Sequence, residues 1–130
     1  DCTNPLRETS DIDKAIKLFI KNRKTIDALI TICEARKNPY FNLLEQNERG
    51  HLKLSKKNID FTVVRRQDAP KVYELVASIN ILSPKYIKKS SNLLDGNIIG
   101  YDIGNYKSLD IDSSFDFEII EYLMGKRNEI

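Results

Sequence analysis

Asp110 and Asp112 stand two positions apart in Ser108-Leu109-Asp110-Ile111-Asp112-Ser113-Ser114-Phe115-Asp116, at the end of an apolar run and just before a helix start. On extended backbone, side chains at i and i+2 point to the same side. The two carboxylates then aim four oxygens at one spot, a donor set that suits a hard divalent cation such as Mg²⁺. Mg²⁺ held by one or two carboxylates usually serves a phosphate group, so the spacing points to a nucleotide-handling enzyme. The competing role is structural, with Asp112 helping to cap the next helix and Asp110 simply solvated. Asp116 reads as the capping-box partner of Ser113, near the positive helix end.

Three further segments carry polar groups suited to a ligand. Arg65-Arg66-Gln67-Asp68-Ala69-Pro70 offers an Arg fork that matches carboxylate or phosphate oxygens, with Gln67 as a neutral donor and acceptor. Thr3-Asn4-Pro5-Leu6-Arg7 has the short polar side chains that line clefts after strand ends in open α/β sheets. Asn38-Pro39-Tyr40-Phe41-Asn42 offers aromatic and amide groups to a sugar. Each has a plainer alternative, respectively a solvated charged loop, turn chemistry and aromatic packing. Lys85, Lys88 and Lys89, like Lys56-Lys57, read as solvated faces. The lone histidine, His51, follows Gly50 in a polar turn, so a His-based general base or triad has little to work with. Cys2 and Cys33 lack zinc-site spacing. Both are expected as reduced core residues, which fits a cytoplasmic location.

The elements that must position these groups follow from composition and pattern. The chain has 130 residues, 41% hydrophobic and 31% charged, enough for one domain with a core. Its net charge of +2, from 21 basic and 19 acidic residues, does not argue for nucleic-acid or membrane binding. No apolar run reaches the ~18–20 residues of a membrane helix. Ser10–Asp13 reads as a capping box, opening a helix over about Asp11 to Lys21 with Ile12, Ala15, Ile16, Phe19 and Ile20 on one face. Ala28–Cys33 reads as a buried strand. Tyr40–Leu44 and Leu52–Leu54 flank Asn47-Glu48-Arg49-Gly50 as a hairpin. Phe61–Val64, Val76–Leu82 and Ile98–Ile103 read as strands. Ser83-Pro84 opens a short helix. A last helix carries Phe117, Ile120, Leu123 and Met124 on one face. The class is α/β. The chain opens on Asp, and Thr3–Arg7 has the composition of a loop that follows a strand. The expectation is the C-terminal part of a longer protein.

Taken together and in this order, the motifs resemble the acylneuraminate cytidylyltransferase family, the CMP-sialic-acid synthetases. Thr3–Arg7 is similar to that family's T-S-P-L-R, Arg66–Pro70 to its R-Q-D/Q-x-P, and Ser108–Asp116 to its S-[IV]-D-I-D-x-x-x-D. The stretches at 38–42 and 65–73 are most similar to the bacterial branch that activates legionaminic-type nonulosonic acids. The resemblance implies transfer of CMP from CTP to the anomeric hydroxyl of an acidic nine-carbon sugar, with release of pyrophosphate and a requirement for Mg²⁺. It implies that Asp110 and Asp112 are the catalytic metal ligands and that Arg66 and Gln67 lie in the sugar-binding region. Asp1 stands where the family often has a sugar-contacting glutamine, and Thr3 and Tyr40 join the substrate-binding set. The implied fold is a Rossmann-like nucleotidyltransferase, a three-layer α/β sheet, of which residues 1–130 form the C-terminal part. A small dimerisation lobe, partly built around 65–85, makes a homodimer.

Two departures stand out. Val76-Ala77-Ser78-Ile79-Asn80 replaces the family's N-[GA]-[AS]-I-Y run, losing an amide and an aromatic. The family's Gly- and Lys-containing loop for the CTP phosphates has no counterpart here. The alternative is therefore a non-catalytic relative serving as a binding or dimerisation module. A cytidylyltransferase acting on another sugar acid would differ only near Tyr40 and Arg66. The 130-residue chain by itself is expected not to transfer CMP; clear turnover in a CMP-transfer assay would refute this.

Overall fold

The computed structural model describes residues 1–57, 63 and 65–127. The elements among them are α1 (Thr9–Asn22), β1 (Ala28–Glu34), β2 (Leu44–Gln46), β3 (Leu52–Leu54), β4 (Tyr73–Leu82), α2 (Pro84–Lys89), β5 (Ile98–Asp102) and α3 (Ser114–Arg127). They fall into two units, Asp1–Cys33 with Leu75–Ile130, and Glu34–Glu74. The strand expected over Phe61–Val64 lies outside the described residues, apart from Val63.

The first unit is a mixed sheet in the order β4-β1-β5. β5 runs parallel to β1, with Ala28 opposite Ile98 and Ile32 opposite Asp102. β4 runs the other way. The Ser83 N–H donates to the Asp27 carbonyl at 2.9 Å, and Ile79 meets Thr31 further along. β1 is central and reads as an unbroken apolar run because its residues are covered on both faces. Ala28, Leu29, Ile30, Thr31 and Cys33 are all buried. The one hydroxyl in that run is satisfied: Thr31 Oγ1 donates to the Ile79 carbonyl at 2.7 Å and accepts the Ile79 N–H at 2.6 Å.

Ala15 of α1 packs with Leu29 and Ile79, joined by Leu18, Phe19, Ile81 and Ile99. Cys33, Val76 and Ile103 form a second cluster, and Tyr101 touches both. Val76 is thus a packing residue, while Asn80 is exposed. The apolar arc of α1 is wider than the part this unit covers. Ile12, Ile16 and Ile20, one turn apart along the helix, remain 37%, 42% and 54% exposed. On α3, Ile120 is buried but Phe117 and Met124 are exposed, so only part of the expected face is used. Cys33 is buried as expected. Cys2 is exposed, against expectation, because it lies in the loop rather than in a strand.

The start of α1 also differs from expectation. The capping pair is Glu8 with Asp11, not Ser10 with Asp13. The Glu8 N–H donates to Asp11 Oδ2 at 2.8 Å. Asp11 prevails because its carboxylate is itself buried and meets Lys107 and Tyr101, whereas Asp13 is exposed. α2 starts as expected, with Pro84 at its first position and Ser83 Oγ accepting the Tyr86 N–H at 3.2 Å.

The second unit holds the β2–β3 hairpin, antiparallel with Gln46 opposite Leu52. Gly50 sits at φ 79°, the left-handed turn conformation that favours glycine. Asn47 Oδ1 accepts the Arg49 and His51 N–H groups at 3.0 and 2.9 Å, and the His51 side chain faces solvent.

Gly96 shows how tightly α2 closes on the sheet. A Cβ there would lie 2.6 Å from the Tyr86 ring and 3.0 Å from Asp27 Cβ. The Tyr86 hydroxyl is shared between the Asn92 and Leu93 carbonyls at 2.9 and 3.0 Å, so the ring cannot swing aside. Gly96→Ala is expected to lower stability by about 1–3 kcal/mol. An unchanged urea midpoint would show that the ring yields freely.

Candidate functional site

In the first unit, Asp110 and Asp112 lie in irregular backbone between β5 and α3, not in a strand. Asp110 is half-buried and Asp112 exposed. Neighbouring elements hold the segment in three places. Asn4 is completely buried, and its Nδ2 donates to the Lys107 and Leu109 carbonyls, both at 2.8 Å. The Ile111 N–H donates to the Thr3 carbonyl at 2.9 Å, which sets Thr3 beside the two aspartates. At the far end, Asp116 accepts the Ser113 N–H and hydroxyl at 2.9 and 2.7 Å, the expected capping box. Bonding from the Ser113 hydroxyl, with the Ser113 and Asp112 N–H groups, holds the Asp116 carboxyl below its ordinary value. Capping therefore falls to Ser113 and Asp116 and leaves the Asp112 side chain uncommitted.

The Lys107 side chain anchors the same segment to α1. Its ammonium lies 2.8 Å from Asp11 Oδ2 and 3.1 Å from Glu8 Oε2. The Tyr101 hydroxyl donates to Asp11 Oδ1 at 3.2 Å. Burial pushes the Asp11 carboxyl up, but the Lys107 ammonium, the Glu8 N–H and Tyr101 outweigh it and the net shift is downward. Lys107 is raised, chiefly by its bond to Asp11, and Tyr101 is raised by burial and by the Asp11 charge. Sequence reasoning missed Asn4, Asp11, Tyr101 and Lys107 as organisers of this region. The i, i+3 spacing of Glu8 and Asp11 was a usable signal. Nothing local marks Lys107, whose partners lie 96 and 99 residues away.

Asp1 joins this group. Its main-chain nitrogen donates to the Ser78 carbonyl at 3.0 Å, and its Oδ1 accepts the Thr3 hydroxyl at 3.1 Å. Arg7 Nη1 donates to the Asp1 carbonyl and, at 3.0 Å, to that of Asn4. Asp1 thus reaches Thr3, and Thr3 reaches the backbone between Asp110 and Asp112. By residue type the two carboxylates suit a hard cation. Asp110 Oδ1 accepts the Ile111 N–H at 3.0 Å, while Asp112 accepts no hydrogen bond among the described residues. No cluster of three or more His, Cys, Asp or Glu is present among them. Two carboxylates that leave other positions to water and phosphate are the usual Mg²⁺ arrangement.

In the second unit, Arg66 and Gln67 line a cleft of about 390 Å³ with Glu34, Asn38, Pro70 and Lys71. Arg66 Nη2 donates to the Ala35 carbonyl at 3.2 Å. Arg65 is committed elsewhere, in a two-bond pair with Asp68 at 2.9 and 3.2 Å. Asn38 builds the wall, with Nδ2 on the Pro70 carbonyl at 2.9 Å and Oδ1 on the Tyr40 N–H at 2.9 Å. Tyr40 lies outside this lining. The Lys56 ammonium sits 5.9 Å from its ring centroid, so Lys56 is not merely solvated.

Asp11→Asn is expected to cost about 1–3 kcal/mol at neutral pH, because Lys107 and Tyr101 lose their charged acceptor. The Asp11 contribution is complete above the ordinary carboxyl value of 3.8 and fades as pH falls through its lower folded value. The gap between wild type and Asp11→Asn should therefore close in acid. A gap that persists undiminished in low-pH unfolding curves would exclude the ion pair as its source.

No family profile matches the chain. It is 36% identical over 128 residues to the post-translational flagellin modification protein B of Campylobacter coli, covering 98% of this chain and 52% of that protein. It is 38% identical over 100 residues to the CMP-N,N'-diacetyllegionaminic acid synthase of Campylobacter jejuni, covering 77% of this chain and 41% of that protein. The chain spans about half the length of the curated relatives it matches. With the similarity running through nearly all of this chain, it belongs to the legionaminic-acid-type CMP-sugar synthetase family.

Proposed function

We propose that the protein to which these residues contribute transfers CMP from CTP to the anomeric hydroxyl of an acidic nine-carbon sugar of the legionaminic type. The sugar oxygen forms a bond to the α-phosphorus as the bond to the bridging oxygen breaks. Pyrophosphate leaves, and the hydroxyl proton passes to solvent or base. The observation that carries this reading is the pair Asp110 and Asp112 on backbone pinned from both sides, the Asp112 carboxylate accepting no hydrogen bond among the described residues. The family relationship supports it.

Asp110 and Asp112 would hold Mg²⁺, which when bound supplies charge neutralisation at the phosphates. The remaining work is positioning rather than covalent catalysis, which suits a chain without a useful histidine. Asp1 and Thr3 offer acceptor and hydroxyl groups beside the carboxylates. Arg66, with Gln67, would hold the sugar carboxylate through a planar fork, and Tyr40 would offer a ring to the sugar. A Rossmann-like nucleotidyltransferase fold, a homodimer and a cytoplasmic location, where CTP is made, accompany this reading.

The test is pyrophosphate release by the full-length protein with CTP, Mg²⁺ and legionaminic acid. Asp112→Asn is expected to cut kcat by about two orders of magnitude. Arg66→Ala is expected to raise KM for the sugar about tenfold and leave that for CTP unmoved. Full activity in Asp112→Asn would remove Asp112 from the metal site, and no pyrophosphate release by the unsubstituted full-length protein would favour the non-catalytic alternative and end the transferase reading.

A further inference from the structure

Asp110 is held through its backbone. The peptide group before it carries the Leu109 carbonyl, which accepts from Asn4 Nδ2 at 2.8 Å. The peptide group after it carries the Ile111 N–H, which donates to the Thr3 carbonyl at 2.9 Å. Two adjacent residues, Thr3 and Asn4, therefore fix both peptide planes that flank Asp110, and with them the direction of its Cα–Cβ bond. The second Asn4 amide proton goes to the Lys107 carbonyl at 2.8 Å, so both donors serve one segment.

This arrangement carries a cost. Asn4 is 0% exposed, and its Oδ1 has no donor among the described residues. An orphaned buried acceptor is unfavourable, so what Asn4 contributes here is its pair of donors. Serine at this position has one donor and aspartate at neutral pH has none. Lys107 reinforces the clasp, since its ammonium is bound to Asp11 and Glu8 while its carbonyl is bound to Asn4.

We propose that Asn4 is a positioning residue for the metal-binding carboxylate of Asp110, acting through the Leu109–Asp110 peptide. The proposal rests on reading Asp110 and Asp112 as ligands of a divalent cation.

The test uses the full-length protein with Mn²⁺ alone as the probe, read by loss of the free-ion EPR signal, together with hydrogen exchange of the Ile111 amide. Asn4→Ser is expected to weaken Mn²⁺ binding about tenfold and to speed Ile111 exchange, with a larger loss in Asn4→Asp. Gly96→Ala, destabilised at a site remote from the clasp, should bind Mn²⁺ as wild type does. If Asn4→Ser loses no more affinity than Gly96→Ala, the clasp is only structural and the proposal fails. If Asp110→Asn binds Mn²⁺ as wild type does, the metal reading fails first and the positioning role with it. Should Asn4→Asp not fold, Asn4→Ser, which keeps one donor, decides alone.

Discussion

Lys107 is bound at both ends of its residue, and the candidate site depends on that double attachment. Its ammonium neutralises the buried Asp11 carboxylate at the start of α1, and its carbonyl accepts one of the two Asn4 protons. A carboxylate as buried as Asp11 needs a cation or several donors to remain charged. Here it has Lys107, the Glu8 N–H and the Tyr101 hydroxyl. The segment that leads to Asp110 therefore cannot shift without uncovering a buried charge.

That constraint divides the work between backbone and side chains. Asp1 connects to β4 and Thr3 to the 107–111 segment through main-chain groups, and Asn4 reaches main-chain carbonyls of that segment with its side-chain amide. The Asp112 carboxylate is consequently not spent on local structure. The cap of α3 could have claimed it, but Ser113 and Asp116 fill that role. Anchoring through peptide planes holds a segment in place without spending its carboxylate oxygens.

The second unit divides its work between neighbouring side chains. Arg65 pairs with Asp68 and stiffens the 3₁₀ turn at Arg66–Asp68, while Arg66 donates to the Ala35 carbonyl. Asn38, which looked from its neighbours like a sugar contact, spends both ends of its amide on Pro70 and Tyr40 and shapes the cleft wall instead. Adjacent arginines with the same local sequence signal thus have different duties.

What the sequence determined by itself was local. The unbroken apolar run of β1, the hairpin turn at Gly50, the Ser83-Pro84 start of α2 and the Ser113–Asp116 box all follow from propensities and short-range hydrogen bonding, and all were legible, whereas the first hairpin strand is Leu44–Gln46 and not the expected Tyr40–Leu44. The Asp110–Asp112 spacing and the Arg66-Gln67 pair suggested chemistry, because residue type alone limits what such groups can bind. The true cap of α1, the exposure of Cys2, the part of the α1 apolar arc that stays uncovered, and the roles of Asn4 and Lys107 were settled only by tertiary structure. Their partners are distant in sequence, and a buried charge chooses its neighbours by where the folded chain leaves room for them.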